Sequence, residues 1–510
     1  MGVFMNKLRL YMLAALAIFL LAACNAGSPA MALSIVVRAD GELREVSLPA
    51  GSTVRDALTA TDLELGDLDR VEPPMHTELV DGDQVSLIRV TEEFETEQAP
   101  MPFDSHTLPN EALPVGEQRL IQNGANGLQE TTFRLLYEDG ELISRIEVDT
   151  VVLTDPVEEI IMIGAQSPFS SVNVPGRLAF ISAGNAWVLE GSSGIRRAVA
   201  ITGDLDGRVF EVSPDGKWLL FTRTTQDEGH INELWVASLD EGEQELTYLG
   251  IGNIVHFASW EPGARYEIAF STVEPTDNPP GWQANNDLQT ITLSTTGRPG
   301  SPQTVLSAAR DGFYAWWGTS YAWSPQGGQL AFTRPDGVGT VNLGEDSLDV
   351  WFTLPAYQTG SDWAWIPGLS WSDEDSFYYV RYAVNPVTFS LQLAGEGGAE
   401  RIAENVGMFA MPQAAPDGSQ VAFLRAFIPA QSDISTYELM VAAPSGVSIP
   451  LFPPEGALGL QPQRVAWSPS SEEGPLIAYV YEGNLWVVNV LTSEAQQLTG
   501  DGLVGAISWR

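Results

Sequence analysis

Alternating hydrophobic and polar residues, interrupted by turn residues, make up most of the chain after residue 31. Residues 34–38 and 43–48 are the first two such runs, and Asp40-Gly41 between them is typical of a hairpin turn. A period of two is the pattern of a half-buried β-strand, so the sequence predicts a mainly β protein. Fifteen Trp residues favour the same conclusion, because aromatic side chains suit packed sheets.

One helix is predicted in the first region. Val54, Ala57 and Leu58 are apolar at positions i, i+3 and i+4, directly after polar residues that offer a helix cap. A closing strand is predicted over 84–90. Hairpin, helix and closing strand make residues 32–90 a small α+β domain. This order resembles the ubiquitin-like domain that precedes G-five domains in bacterial cell-wall proteins.

Residues 91–166 carry strand-like runs with glycines at particular places, where they allow positive φ and tight strand exits. These structural glycines are Gly116, Gly124, Gly127, Gly140 and Gly164. The pattern resembles the G-five domain, an elongated β module of surface proteins, and all five glycine positions are present. The resemblance implies adhesion or contact with glycans that contain N-acetylglucosamine. A rigid spacer that binds nothing is the alternative.

Some members of that family are associated with zinc-dependent assembly. Here the nearby histidines are His76 and His106 alone, so the sequence gives zinc little support. The chain has one cysteine and four histidines, which excludes intrachain disulfides and multi-cysteine metal sites. We therefore predict no metal and no cofactor.

Residues 168–510 contain a repeat. Each unit has a strand ending in an apolar residue, then Ser-Pro-Asp-Gly or a relative, then a strand ending in Ala-Phe or similar. Five units end their first strand in tryptophan: Trp260, Trp323, Trp371, Trp467 and Trp509. We expect these to pack between the repeats. A four-stranded unit that buries its faces only against its neighbours predicts a β-propeller.

The two ends of this region indicate how the ring closes. Residues 177–182 and 185–189 read as second and third strands without a first, and 506–510 read as a first strand without a successor. The C-terminal strand should therefore complete the first blade and close the ring. Seven blades are favoured, and six follow if one weak unit is an insertion. The repeats resemble the TolB-like, WD-repeat-related propellers of bacterial envelope proteins.

The N-terminus reads as a targeting signal. Two basic residues precede a fourteen-residue apolar run that ends in small residues before Cys24. This resembles the signal of a bacterial lipoprotein over 1–23, with Cys24 lipidated and 24–31 a short linker. A lipid anchor on the extracytoplasmic face, at the cell surface or in the periplasm, is then expected. An ordinary secretory signal with a free cysteine is the alternative.

Charge restricts the partners. The chain holds 66 acidic and 25 basic residues, a net charge of −41. Phosphate backbones and anionic lipid surfaces repel such a protein, so nucleic acid is excluded as a partner. Residues 31–165 hold 28 acids and 8 bases, which suits a hydrated, self-repelling stalk.

Two aromatic loops enter predicted innermost strands and should meet at one rim of the propeller channel. Indole faces beside Asp and Asn suit a neutral sugar, because they combine stacking with directed hydrogen bonds. The candidate ligand-binding residues are Tyr314, Trp316, Trp317, Asp362, Trp363 and Trp365, with Trp282 from a Pro- and Asn-rich insertion. In the alternative, residues such as Trp316 and Trp365 fill gaps between blades.

The sequence favours a non-catalytic binding protein. It lacks a G-x-S-x-G elbow, and Asp215 and Asp417 in the repeats are expected to cap turns. We expect a membrane-anchored envelope protein whose G-five stalk contacts the cell wall or a glycan such as peptidoglycan. Its propeller would bind an envelope protein or a glycan. The alternative is a polysaccharide-active enzyme at the aromatic rim, which requires Asp311 and Asp362 to converge.

Overall fold

The computed structural model describes residues 32–165 and 169–510, except 228, 241, 243–244, 264, 312–314, 358–364, 396 and 471–473. The chain divides into two compact units. The first holds residues up to Leu108 together with Arg119–Ile161, and the second holds Pro109–Gln118 and Met162–Arg510. In the part of the chain so described, no helix has the length and apolarity needed to cross a membrane.

The N-terminal domain is a four-stranded sheet with one helix. Its elements are β1 (Ala32–Ala39), β2 (Glu42–Pro49), α1 (Val54–Ala60), β3 (Arg70–Glu72) and β4 (Gln84–Ile88). The strand order is β2-β1-β4-β3, with β1 parallel to β4. The predicted hairpin and helix are confirmed. Asp56 accepts a hydrogen bond from the backbone N–H of Thr53 at 2.7 Å, which closes a capping box at the start of α1.

The next region is made of long strands. They are β5 (Val90–Met101), β6 (Ser105–Asn110), β7 (Gln118–Gln122), β8 (Gly127–Glu138), β9 (Glu141–Thr154) and β10 (Glu159–Gly164). One sheet has the order β5-β8-β9, and a second has the order β6-β10-β7. Most of β5 and nearly all of β9 are exposed, so the first sheet is a single layer with little core of its own.

The five glycines have the structural roles predicted for them. Gly116 and Gly140 have φ of +87° and +85°, a region that side chains with a Cβ rarely adopt. Gly124, Gly127 and Gly164 have no room for a Cβ. At Gly164 that atom would overlap the carbonyl of Pro114, and at Gly127 it would overlap the backbone near Pro156.

The second unit is built of small antiparallel sheets. The first three comprise β11 (Asn173–Ser182), β12 (Asn185–Ala200), β13 (Leu205–Val212), β14 (Trp218–Thr224), β15 (Asn232–Ser238), β16 (Leu246–Gly252), β17 (Phe257–Trp260), β18 (Glu267–Ser271), β19 (Val273–Pro275), β20 (Trp282–Ala284), β21 (Leu288–Thr292) and β22 (Gln303–Leu306). In this part β13–β16 form one sheet and β17, β18, β21 and β22 another, while β19 and β20 form a separate hairpin.

The remaining sheets take consecutive strands. They comprise β23 (Ser320–Trp323), β24 (Leu330–Arg334), β25 (Gly337–Asn342), β26 (Ser347–Thr353), β27 (Leu369–Trp371), β28 (Phe377–Val384), β29 (Val387–Gly395), β30 (Gly398–Ala403), β31 (Gln413–Ala414), β32 (Val421–Ala426), β33 (Tyr437–Ala442), β34 (Ser448–Phe452), β35 (Ala466–Trp467), β36 (Leu476–Tyr481), β37 (Asn484–Asn489), β38 (Ala495–Gln497) and β39 (Val504–Trp509). Sets of four from β23 to β38 make four sheets. Short 3₁₀ helices span Ala315–Trp317 and Pro429–Gln431.

The C-terminal strand joins the first sheet. β39 pairs antiparallel with β11, with Leu178 opposite Trp509, and the sheet has the order β12-β11-β39. This sheet has three strands where the repeat predicts four, since β12 runs on unbroken from Asn185 to Ala200. Among the described residues, hydrophobic clusters join each sheet to the next and the last sheet to the first.

The mainly β chain with a propeller region is therefore confirmed. A closed ring of seven blades agrees with these pairings and stays a prediction.

The repeated tryptophans join neighbouring sheets, as the sequence predicts. The indole N–H of Trp371 donates to the carbonyl of Ala322 at 2.8 Å, and that of Trp467 donates to the carbonyl of Gln413 at 2.9 Å. Trp260 makes an equivalent bond to the carbonyl of Glu211 in the preceding inner strand. Trp509, in contrast, donates to the carbonyl of Pro175 in β11 of its own sheet.

The repeated aspartates also have the predicted role. The carboxylate of Asp215 accepts from the backbone N–H of Lys217 at 3.1 Å, and that of Asp417 accepts from the N–H of Ser419 at 3.0 Å. Both therefore cap turns. At Asp215 burial opposes the change, but hydrogen bonds, the strongest from the Tyr266 hydroxyl, lower the pKa of the carboxyl, and hydrogen bonds from Ser419 lower the pKa of Asp417.

Candidate functional site

The insertion and one aromatic loop meet at a surface that we call the aromatic rim, formed by Trp282, Trp316, Trp317 and His256. Trp282 begins β20, and that hairpin contacts the 3₁₀ helix that carries Trp316 and Trp317. All three indoles are half-buried. The structure thus brings together three of the predicted ligand-binding residues, each with part of its ring accessible.

His256 packs against Trp282 within the rim. Its ring lies edge-on to Trp282, with centroids 4.6 Å apart, and its Nε2 atom is buried without a hydrogen-bond partner among the described residues. Burial lowers the pKa of His256 to about 4, helped by the nearby Arg208 guanidinium. The imidazole is therefore neutral at pH 7. Gly318, with φ of +100°, lies against this ring, where a Cβ would approach Nε2 to 2.5 Å.

Trp365 does not share the exposed rim. Its side chain is 3% exposed, its indole N–H donates to the carbonyl of Met408 at 2.8 Å, and its ring packs edge-on against Phe389. This corrects the placement of Trp365 among the ligand-binding candidates and agrees with the stated alternative, because inter-sheet packing covers the ring.

The remaining predicted site residues are not seen to join the aromatic rim. Tyr314, Asp362 and Trp363 lie outside the described residues, as does Cys24. Asp311, the other carboxylate that the enzymatic alternative requires, is exposed at the surface. Among the residues that the structure describes, no group of three or more His, Cys, Asp or Glu side chains is arranged to hold a metal ion.

A pocket of about 210 Å³ lies where the inner strands of five sheets begin, and we call it the axial pocket. Its lining comes from the segments that enter β17, β23, β27, β31 and β35. Trp365, Met408, Phe409 and Met411 make part of the wall apolar, whereas His256 and Arg464 are polar. Five converging segments place this pocket on the axis of the propeller.

Three charged groups cluster beside this pocket. A nitrogen of Arg510 lies 3.8 Å from a carboxylate oxygen of Glu211, and Arg464 also acts on Glu211 through its charge. Burial raises the pKa of Glu211, while the two guanidinium groups and a hydrogen bond from Ser259 oppose that rise. Burial also lowers the pKa of Arg464. Arg464 nevertheless keeps an exposed surface, as expected for a side chain in an open channel.

One position of the repeat points to this cluster, although the sequence motifs considered above do not include it. The residue just before the last residue of an inner strand is polar in several repeats. Ser508 accepts a hydrogen bond from the N–H of Val212 at 2.9 Å, and Ser370 accepts one from the N–H of Ala414 at 3.0 Å. Glu211 occupies the same repeat position. Comparison of the repeats position by position would have singled it out.

A second, smaller pocket of about 140 Å³ beside β12 is structural. Its buried Arg196 lies over the Trp187 ring, 4.1 Å from the centroid, and within 3.7 Å of carboxylate oxygens of both Glu111 and Asp501. The backbone N–H of Gly500 donates to Glu111 at 2.9 Å. These contacts compensate the buried guanidinium from within the unit.

The fold defines a class of protein: a multidomain β protein that carries a G5 domain and a propeller. Residues 92–166 match the family model described as the G5 domain. Residues 35–76 match the model described as the G5-linked ubiquitin-like domain. Both resemblances stated from the sequence are thereby confirmed. A G5 domain suggests association with the cell wall or the cell surface.

Curated relatives match only part of the chain. Resuscitation-promoting factor RpfB of Mycolicibacterium smegmatis is 28% identical over 159 residues, which cover 30% of this chain and 44% of the relative. Resuscitation-promoting factor Rpf2 of Corynebacterium glutamicum is 25% identical over 160 residues, covering 31% of this chain and 42% of the relative. The chain thus spans less than half the length of the curated relatives that it matches.

Solved structures include propellers and G5 domains. TolB from Acinetobacter baumannii is 12% identical with a TM-score of 0.38, and the match covers 82% of this chain and all of that one. The β-propeller domain of the Trilobed protease from Pyrococcus furiosus is 10% identical with a TM-score of 0.33, covering 70% and 99%. The IgA1 protease G5 domain is 25% identical with a TM-score of 0.13, covering 16% and 94%.

Proposed function

We propose that the protein is a lipid-anchored, non-catalytic binding protein of the bacterial envelope. The G5 region contacts the cell wall or a wall glycan, and the propeller displays a binding face for a glycan or an envelope protein. The match of residues 92–166 to the G5 domain is the observation that carries this proposal. Relatives named resuscitation-promoting factors are similar to this chain over about a third of its length.

The architecture of the G5 region supports contact through an extended surface. The sheet of β5, β8 and β9 exposes residues on both faces, among them Phe94, Ile146 and Val148, each about half exposed or more. Two-sided exposure gives a long contact surface without a closed pocket. Such a surface suits a polymer better than a small substrate.

The aromatic rim supports binding at the propeller. Trp282 and the 3₁₀ helix with Trp316 and Trp317 form a half-exposed group beside Asn285, whose side-chain oxygen accepts from Arg310 at 2.8 Å. Accessible indole faces next to fixed polar groups are typical of sugar recognition. The same rim also suits an aromatic-rich protein contact.

The anchor is tested by cell fractionation of the full chain. In the producing organism, wild-type protein should sediment with membranes. Cys24→Ser should release it, because the acyl chains that hold the protein are attached at that thiol. Ser28→Ala, four residues further on, is the matched control and should stay with membranes. Retention of Cys24→Ser in the membrane fraction would contradict a lipid anchor.

The non-catalytic role has its own test. Purified cell wall incubated with the protein should release no reducing ends above the level of a boiled sample. Release that disappears in Asp311→Asn would instead establish the polysaccharide-active enzyme. The binding role itself is tested by retention of the protein on purified wall.

A further inference from the structure

We propose that the axial pocket binds a small carboxylate that carries a short apolar chain, with Arg464 as the residue that receives the carboxylate. The ligand is either a free small acid or the C-terminal residue of a peptide, since both present this chemistry. The proposal concerns the axial pocket alone. It stands whether or not the G5 region contacts the cell wall.

Among the described residues, Arg464 has no carboxylate within ion-pair distance, although Glu211 acts on it through its charge. Most arginines that the structure describes lie within 4 Å of a carboxylate, as expected in a chain with 66 acids and 25 bases. Within the same described part of the chain, Arg464 has no carboxylate within 4 Å and makes no hydrogen bond. The nearby Glu211 lies against Arg510 instead, at 3.8 Å.

A guanidinium in this position suits a carboxylate. Its five N–H donors form a planar fork that matches the two oxygens of a carboxylate, so the pair forms two parallel hydrogen bonds. Because Arg464 lines a pocket, an anion bound there would lose less of the interaction to water than at the open outer surface. The pair would therefore stabilise a ligand more than a surface ion pair does.

The wall of the pocket specifies the rest of the ligand. Trp365, Met408, Phe409 and Met411 supply apolar and polarisable surface, and methionine adapts to chains of different shape. A volume of about 210 Å³ is below the roughly 300–1,000 Å³ of drug-sized sites, so only a short chain fits.

A second polar residue, His256, lines the same pocket. Nε2 of His256 is buried without a hydrogen-bond partner in the described structure. That atom packs against Gly318, so the proposed contact with the ligand is made by Arg464 and not by the imidazole. Arg464 and His256 are thus the two ionisable groups of a lining that is otherwise largely apolar.

Hexanoate is the first probe, with hexan-1-ol, hexylammonium and acetate as matched comparisons. Calorimetric titration of the full mature chain should show hexanoate binding with a Kd of roughly 1 mM or tighter. The alcohol and the ammonium lack the carboxylate, and acetate lacks the chain. Each should bind at least about tenfold more weakly, a factor equal to about 1.4 kcal/mol.

Three variants assign the binding to this residue. Arg464→Gln should weaken hexanoate binding by about tenfold or more, and Arg464→Lys should weaken it less because the charge remains. Arg298→Gln removes an exposed arginine from an outer turn and should bind like wild type. Thermal unfolding of each variant shows that it is folded. Absence of hexanoate binding by wild type, or equal binding by Arg464→Gln, overturns the proposal.

A peptide distinguishes the two ligand sources. Acetyl-Gly-Gly-Leu with a free carboxylate is compared with its C-terminal amide. Binding of the free peptide at least as tight as hexanoate, lost in the amide, identifies a peptide terminus as the ligand. Binding of hexanoate but not of the peptide identifies a free small acid.

Discussion

His256 shows how a single buried side chain connects the two features of the propeller. Its ring supports Trp282 of the aromatic rim, and the residue also lines the axial pocket. Its neutral form is required because charging it would place an uncompensated cation beside Arg208. The protonation of His256 therefore couples pH to the packing of the rim.

We predict a specific pH dependence from this residue. The pKa of His256 is about 4 in the folded protein and 6.5 when unperturbed, so the unfolded chain binds the proton more readily between these values. The His256 contribution to the free energy of unfolding is intact above pH 6.5 and is lost as pH falls toward 4, by roughly 3 kcal/mol in total. Proton NMR of the wild-type protein measures the titration midpoint of the imidazole, and the signal that is lost in His256→Asn identifies the His256 resonance. A titration midpoint near 6.5 would contradict the account.

Sequence reasoning at this scale succeeded for repeated residues and failed for singular ones. The anchor tryptophans were predictable because five copies share one position and one role. Trp365 was not, because a lone indole in a loop reads the same whether it faces solvent or packs against Phe389. No local sequence pattern singles out Arg464. Its place in the pocket, without a carboxylate of the described residues within ion-pair distance, depends on where five separate segments converge.

Within the propeller, three anchor tryptophans, Trp260, Trp371 and Trp467, each donate one hydrogen bond to the preceding inner strand. The indole of Trp371 donates across to Ala322, whereas that of Trp323 has no hydrogen-bond partner among the described residues. The two positions therefore separate the contribution of the hydrogen bond from that of ring packing.

We predict that Trp371→Phe destabilises the protein more than Trp323→Phe. Both changes reduce the ring by a similar volume, but only the first leaves a carbonyl without its donor, which costs about 1–3 kcal/mol. Trp371 is also the more buried of the two side chains. Urea unfolding of both variants measures the difference. Equal destabilisation would show that the indole hydrogen bond contributes nothing.

Hairpins and the helix were predictable because their signals are local. Asp40-Gly41 adopts positive φ at both residues, as its hairpin pattern indicates, and α1 begins directly after the predicted cap. The three-stranded first sheet was not predictable in the same way. Whether β12 ends early or continues to Ala200 depends on tertiary pairing and not on a turn residue.

Across the whole second unit, the C-terminal strand makes the longest-range pairing. β39 pairs with β11 more than 300 residues earlier, and the indole N–H of Trp509 donates to the carbonyl of Pro175 at 2.7 Å. The hydrophobic cluster that contains Trp509 also holds residues of β36 and β37. This strand therefore connects the last sheet with the first.

Ring closure leads to a prediction about stability. Trp509→Ala removes a buried ring from that cluster and should lower the free energy of unfolding by about 3–5 kcal/mol. Leu503→Ala, in the same segment but exposed, should change it by less than about 0.5 kcal/mol. Denaturant unfolding compares the two. Similar small effects would indicate that β39 does not hold the ring together.

At this scale the sequence predicted the G5 domain and the propeller region, because repeats and glycine positions recur at fixed spacing. It could not locate the axial pocket, which exists only once five sheets surround one axis. The lipid anchor and the wall contact remain proposals that rest on the N-terminal pattern and on the G5 match.

Cosedimentation of the full mature chain with purified cell wall tests the central claim most directly. Wild type should pellet with the wall and remain soluble without it. A Trp282→Ala/Trp317→Ala variant should pellet less if the aromatic rim contributes, whereas Tyr248→Ala, an exposed aromatic on an outer strand, should match wild type. Wild-type protein that stays in the supernatant with the wall present would contradict a wall-binding role.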